Sequence, residues 1–427
     1  MKNKFIQSTI ILMIGGIATK LLSFIIKIYF TRIIGTDGIN IYAIIMPTYS
    51  LLITIAQLGL PIAISNIIAK GEKTGKKVIF SIIPVSLVLN LIIIAIIVLS
   101  SKFLSNNLLH EPRAQLPLIC LSFILPFISI SSIIRGYFFG KQKMTPHTLS
   151  NILEQIFKFI IVIAVLPILL KYGTIVAVCG YILINIISEI ISIIIFLLFL
   201  PKRFTIQKKD IKPDPETIKE ILAIGLPSVG GRIIGNIGFF FEPIILTWIL
   251  MLMGYSGEYI ITEYAVYNTY VIGLLIVPTF FVTALSTALL PEISKYTCNK
   301  NRAKRIFKKA ITWAFLLGLI ANIFFYFFAE FILMFIFDTN AGVNYIKVLT
   351  FFFILYYLEA PMISTLQALG YSKHCMMTTT LGIIVKLMMI VILSLFKIGI
   401  YSLIFAEVIF IVVVVLSSYI KIRKVLN

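Results

Sequence analysis

Five basic side chains stand inside continuous apolar runs: Lys20, Lys27, Lys158, Arg232 and Lys386. Acids do the same, among them Glu154, Glu189, Glu242, Glu359 and Glu407. At the centre of a bilayer a charge costs roughly 2.5–3.5 kcal/mol on insertion scales, so each residue calls for a function or a partner. Lys20 and Lys27 are seven residues apart, which puts them on one helix face about 10 Å from each other along the axis. Two ammonium groups so placed suit an anionic head group such as a diphosphate, which they would bind as point charges. The competing reading is that Lys27 snorkels outward and Lys20 pairs with an intramembrane carboxylate. Arg232 is the third candidate for the head-group cavity. It lies among Gly225, Pro227, Gly230 and Gly231, a cluster that weakens a helix and marks a candidate hinge. Close packing by small residues is the alternative.

The acids allow two kinds of chemistry. A buried carboxylate can take up and release a proton, so Glu154, Glu242 and Glu359 are candidate coupling groups for H+ or Na+. They are equally candidate counter-ions. Glu154 and Lys158 stand four apart on one helix and are expected to pair, with Lys158 and Lys386 both read as cations held in pairs. Glu189 and Glu407, near the ends of the two halves, favour a structural role. The four cysteines form no CxxC pair and the chain has three His, so no metal site or cofactor is expected.

The elements that carry these residues follow from composition. Of 427 residues, 60% are apolar and 13% charged, with mean hydropathy +1.06. Twelve spans of roughly 20 residues would use about 240. The apolar segments fall near 6–34, 39–68, 78–100, 115–139, 149–171, 174–200, 218–253, 262–293, 310–337, 343–369, 376–397 and 399–421. The runs are continuous rather than alternating, which excludes a water-filled β-barrel, and their sheer content excludes a soluble enzyme. An all-α polytopic membrane protein is expected. The net charge of +20 does not indicate nucleic acid, because the charges sit in short blocks between spans. Of the 37 Lys and Arg, 26 fall on the side of the N-terminus, 6 on the other and 5 inside spans. That asymmetry puts both termini in the cytoplasm of a cell whose cytoplasmic membrane the chain spans. The block Asn301–Lys309 is basic and amphipathic, suited to anionic lipids at the inner leaflet or to ordinary positive-inside charge.

The most polar break, 201–217, reads as a cytoplasmic linker between an N-terminal six-span lobe, 1–200, and a C-terminal one, 218–427. Short echoes support a repeat: Tyr42-Ala43 with Tyr264-Ala265, Gly140 with Gly370, and Lys158 with Lys386. Six spans is an even number, so the two lobes are parallel repeats, an arrangement of alternating-access transporters. There is no P-loop, no large outer loop and no cluster of catalytic acids. A carrier is expected rather than an enzyme.

Arg135-Gly136-Tyr137-Phe138-Phe139-Gly140, then Met144-Thr145-Pro146, Ser150 and Glu154-Gln155, resembles the RGYxxG…MxP…S…EQ pattern of a known family. It is that of the stage V sporulation protein B and polysaccharide-exporter branch of the multidrug/oligosaccharidyl-lipid/polysaccharide flippase superfamily. Lys20–Phe24, Thr31–Gly35, Gly59–Ser65 and Ala284–Ser294 resemble it too. The resemblance implies a V-shaped, two-lobed carrier with a central cationic cavity. It implies that an undecaprenyl-diphosphate-linked saccharide is flipped, for the cell wall, the spore cortex or another polysaccharide, with membrane lipids and cell-wall synthesis proteins as partners. In such flippases the cavity cations come largely from the first span of each half, where Lys20, Lys27 and Arg232 stand. Related lipid II flippases often carry Arg where this chain has Lys, and often have two further spans that form a lipid-tail groove. The rival within the same fold is an ion-coupled multidrug or organic-cation antiporter, whose cavity should present acids in excess.

Overall fold

Backbone amides left unpaired in hydrocarbon are costly, so a chain this apolar must satisfy them along its own helices. A computed structural model describes residues 2–71, 73–200, 213–296 and 299–426, and every regular element among them is helical. In chain order these are α1 Lys2–Gln57, α2 Leu60–Lys70, α3 Gly75–Phe103, α4 Gln115–Ser122, α5 Leu125–Gly140, α6 Thr145–Leu170 and α7 Thr174–Leu198. There follow α8 Pro215–Leu252, α9 Gly257–Leu275, α10 Thr279–Ser294, α11 Lys300–Phe337, α12 Val343–Ala368, α13 Ser372–Ser394 and α14 Tyr401–Leu426.

Among the described residues ten helices are long and apolar enough to cross a membrane. The pair α9 and α10, bent by 56° at a short break, makes an eleventh. The longest stretch, Met13–Lys70, has 58 residues. Unbroken, it would measure about 87 Å, nearly three times the hydrocarbon thickness. Gly35, at φ 69° and ψ −178°, breaks it in a conformation that side chains other than hydrogen disfavour. Taken as two arms, it brings the number of spans to the twelve expected from the sequence.

The chain divides into two compact units, Met1–Phe240 and Phe241–Asn427. The division falls within α8. Most of the linker read from the sequence, 201–212 of 201–217, lies outside the described residues, as does Cys298. In the first unit one cluster joins Leu60, Ile64 and Ile67 of α2, Val78 and Ile82 of α3, Tyr137 and Phe138 of α5, Phe196 of α7 and Ile221 of α8. Two glycines of the RGYxxG motif make this packing possible. A Cβ on Gly136 would come within 2.9 Å of Ile64, and one on Gly140 within 2.7 Å of Ile68. In the second unit Tyr357 is fully buried and donates to the Leu275 carbonyl oxygen at 2.8 Å.

The start of α8 is held down by charge. Lys73 Nζ lies 2.9 Å from Glu220, Lys70 lies 3.8 Å from the same carboxylate, and Lys77 lies 3.1 Å from Asp214. Asp214 caps the helix, accepting from the Thr217 amide and hydroxyl, while its own amide donates to Ser81 Oγ. The Thr217 hydrogen bond and the Lys77 ammonium hold the Asp214 carboxyl below its usual range. The hydrogen bond to Glu220 holds the Lys73 ammonium above its own.

Candidate functional site

Lys20, Ser23 and Lys27 share the face of α1 that packs on α6. Ser23 Oγ donates to Gln155 Oε1 at 2.9 Å, and the Tyr29 ring meets Phe159 edge-on at 6.2 Å. Lys20 is exposed, while Lys27 is half-buried and has no hydrogen bond or ion pair among the described residues. One turn further on, Phe30 stacks on Tyr181 at 3.8 Å, with Tyr42 against both rings. Arg232 is exposed on α8 and donates to Gln57 Oε1 at 3.4 Å, at the end of the second arm of α1. Asn236, one turn later, donates to Thr54 Oγ1 at 2.6 Å. The structure therefore gathers Lys20 and Lys27 on the first arm of α1 and anchors Arg232 beside the second. All three belong to the first unit.

The glycine-rich segment of α8, the candidate hinge, is helical throughout. Gly225 accounts for part of this: a Cβ there would sit 2.6 Å from the Leu58 carbonyl oxygen, so this glycine serves close packing in the present conformation. Ser228 Oγ donates to the Gly225 carbonyl and adds a local restraint at 2.7 Å.

The expected Glu154–Lys158 ion pair is not formed among the described residues. Lys158 Nζ turns to α7 instead, donating to Asn185 Oδ1 at 2.7 Å and standing 5.1 Å from the centre of the Tyr181 ring. A lysine on α6 reaches across to the next helix as easily as along its own, and helical spacing cannot decide between them. Glu154 accepts from its neighbour Gln155 at 3.3 Å and shares its surroundings with Arg135 and Glu189. The buried Nε of Arg135 and Oε2 of Glu189 have no hydrogen-bond partner among the described residues.

In the second unit Lys386 of α13 bridges Glu242 of α8 and Glu407 of α14, in contact with a carboxylate oxygen of each. The residues lie 144 and 21 positions from the lysine in sequence, so only the fold could join them. The signal available beforehand was the shared cost of three intramembrane charges. Glu359 makes no ion pair with this triad among the described residues. It lines a cavity of about 340 Å³ together with Thr279, Thr283, Ser286, Tyr356 and Ser364, and has no hydrogen bond among the described residues. No group of three or more His, Cys, Asp or Glu that could hold a metal ion occurs among the described residues.

Ten to eleven helices among the described residues are long and apolar enough to cross a membrane, and they define a polytopic helical membrane protein. The architecture matches an inward-facing multidrug resistance MATE family transporter of the MOP superfamily, with TM-score 0.76 and 18% identity over 96% of this chain and 94% of that one. Residues 5–297 match the family of polysaccharide biosynthesis proteins, and the chain belongs to that family. It is 31% identical to stage V sporulation protein B of Bacillus subtilis (strain 168) over 405 residues, 92% of this chain and 78% of the relative. It is also 28% identical to the lipid II flippase MurJ of the same organism over 196 residues, 42% of this chain and 36% of that one.

Proposed function

We propose that this protein is a flippase of the cytoplasmic membrane that carries an undecaprenyl-diphosphate-linked saccharide across by alternating access. The observation that carries the reading is Lys27. A half-buried ammonium at membrane depth without a carboxylate partner among the described residues is expensive unless a ligand supplies the anion. Lys20, on the same face, and Ser23 between them extend the cationic strip, and Arg232 adds a third charge in the same unit. A diphosphate carries enough oxygens to meet several such groups, while its prenyl chain stays in lipid. Membership of the polysaccharide biosynthesis family, and similarity to a protein named for lipid II, support that cargo class over an organic cation. Both termini are cytoplasmic in this reading, from the Lys and Arg asymmetry. The chain acts as a carrier, not an enzyme, and cell-wall or spore-cortex synthesis proteins are its natural suppliers and consumers.

The acids of the second unit supply candidate coupling groups. Glu359 faces a hydroxyl-rich cavity, where H+ or Na+ could be exchanged during the cycle. Glu242 is already committed to Lys386. Gly225, Pro227, Gly230 and Gly231 are the proposed flexing segment of α8.

The test is head-group translocation in proteoliposomes with a labelled undecaprenyl-diphosphate sugar. Wild-type protein should move the head group, and the Lys20→Ala/Lys27→Ala and Arg232→Ala variants should lose that movement despite normal insertion. Translocation that survives both variants removes the proposed cation site. Ion-coupled efflux of a cationic dye, with no movement of any lipid-linked sugar, would establish the antiporter instead.

A further inference from the structure

The two units place an asparagine at the same point of a long helix, and treat it differently. Ser86-Leu87-Val88-Leu89-Asn90 on α3 corresponds to Gly318-Leu319-Ile320-Ala321-Asn322 on α11. Asn90 is fully buried and its NH2 group is satisfied, while its Oδ1 has no hydrogen-bond partner among the described residues. Its Nδ2 donates to the Ser86 carbonyl oxygen at 2.7 Å and to Ser129 Oγ at 2.8 Å, with Ser86 Oγ at 3.4 Å. Asn322 is also buried, only 6% exposed, yet neither Nδ2 nor Oδ1 has a hydrogen-bond partner among the described residues. The serine four residues earlier has become Gly318, whose backbone is pressed against the Tyr357 ring; a Cβ there would lie 2.6 Å from that ring.

Depth makes this orphaned carboxamide expensive. The apolar part of α11 runs from Ala310 to Phe337, and Asn322 lies about 18 Å from one end and about 22 Å from the other. It is therefore near the bilayer midplane, where no bulk water reaches and an unmade hydrogen bond costs more than at a surface. Beside it the structure opens a cavity of about 340 Å³ between α11 and α12, lined by Asn322, Leu319, Tyr326, Phe327, Phe351 and Ile354 among others. Tyr326 and Phe351 meet edge-on at 5.5 Å and form one wall. Thr350, also at the cavity, already spends its hydroxyl on the Lys347 carbonyl at 2.9 Å. The volume is at the lower end of small-molecule sites.

We propose that this groove binds an uncharged, membrane-dissolved amphiphile whose hydroxyl or amide pairs with Asn322. A carboxamide offers both a donor and an acceptor, which an alcohol, phenol or amide answers with one group. Aliphatic and aromatic walls take the apolar remainder. A charged ligand is disfavoured at this depth. The site lies wholly in the second unit and does not depend on the cargo proposed above.

The experiment uses purified full-length protein in phosphatidylcholine nanodiscs, a diazirine-bearing octanol and the matching diazirine-bearing octane. After photolysis, peptide mass spectrometry locates the adducts. The octanol should label residues 319–327 and 350–354 several-fold more than the octane does. Excess unlabelled octanol should suppress that labelling. Asn322→Leu should cut octanol labelling of the groove about threefold to tenfold, the range a single intramembrane hydrogen bond spans. Labelling elsewhere should be unchanged. Equal labelling by alcohol and alkane, or octanol labelling undiminished in Asn322→Leu, would overturn the proposal. The alcohol-to-alkane ratio and the competition are read on the wild type, so the proposal stays exposed to refutation if the variant fails to fold.

Discussion

Replacing Lys386 by methionine should destabilise the second unit severely, and removing the charges around it should repair the damage. Lys386 is in direct contact with a carboxylate oxygen of Glu242 and of Glu407, and the three side chains are 14%, 4% and 13% exposed. Methionine keeps much of the lysine volume but leaves two carboxylates without their cation in a largely buried site. Breaking a buried ion pair from one side costs about 3–5 kcal/mol, because the remaining charge is uncompensated. In a unit of this size that corresponds to a fall in Tm of roughly 6–20 °C. The triple variant Lys386→Met/Glu242→Gln/Glu407→Gln removes all three charges and should recover most of the loss, since neutral replacements of buried ion clusters are often neutral or better. Lys158→Met is the internal comparison. Its partner Asn185 is neutral, so the variant strands a single acceptor at about 1–3 kcal/mol. Thermal unfolding of detergent-purified protein, followed by fluorescence of the chain's two tryptophans, reads all of these. A Lys386→Met protein within about 2 °C of wild type would refute the reasoning, as would a triple variant no more stable than the single one.

The ion pairs at the start of α8 should obey a charge swap: Glu220→Lys loosens the segment, and Lys73→Glu added to it restores the order, measured by protease sensitivity of the 213–220 region at low salt. These pairs are partly exposed and screened by ions, so 1 M salt should erase most of the difference. The same cluster sets a pH window. Asp214 is held below the ordinary carboxylate range, so its contribution is present above that range and lost as pH falls through the folded value. Lys73 is held above the ordinary amine value, so its contribution is full below that value and lost as pH rises through the folded one. The protection should therefore plateau between about pH 5 and pH 10. At Gly59, φ is 68° and a Cβ would meet the Gly225 carbonyl oxygen at 2.5 Å; at Gly71, φ is 78° but the space is open. Gly59→Ala should thus lower Tm clearly more than Gly71→Ala, which incurs only the strain of the left-handed backbone, about 1–2 kcal/mol.

Much of the fold was legible because hydrocarbon imposes a blunt rule. Continuous apolar runs of about 20 residues have to be helices, and short polar blocks have to join them. The RGYxxG motif was legible as a pattern, and the structure explains two of its glycines: α5 lies so close on α2 that Gly136 and Gly140 have no room for a side chain. Pairing was less legible. Spacing alone joined Lys158 to Glu154, because an i,i+4 separation is visible in one dimension, while Asn185 is 27 residues away. The packing of α8 met the same limit: Gly225 faces Leu58, a contact that no local pattern reveals.

The sequence by itself determined that this chain is a polytopic helical membrane protein, which residues are out of place in lipid, and which family its motifs resemble. These follow from composition and from short-range spacing, both written along the chain. Only the tertiary structure decided how the misplaced charges are answered. It gave Lys386 two carboxylates from helices 144 and 21 residues away, gave Lys158 a neutral amide, and left Lys27 without a counter-ion among the described residues. It also separated Asn90, whose Nδ2 is answered by two serines, from Asn322, whose Nδ2 and Oδ1 both lack a hydrogen-bond partner among the described residues. The reason is physical: the price of a buried polar group is fixed by the residue itself, but its compensation is fixed by which helix faces it across the core.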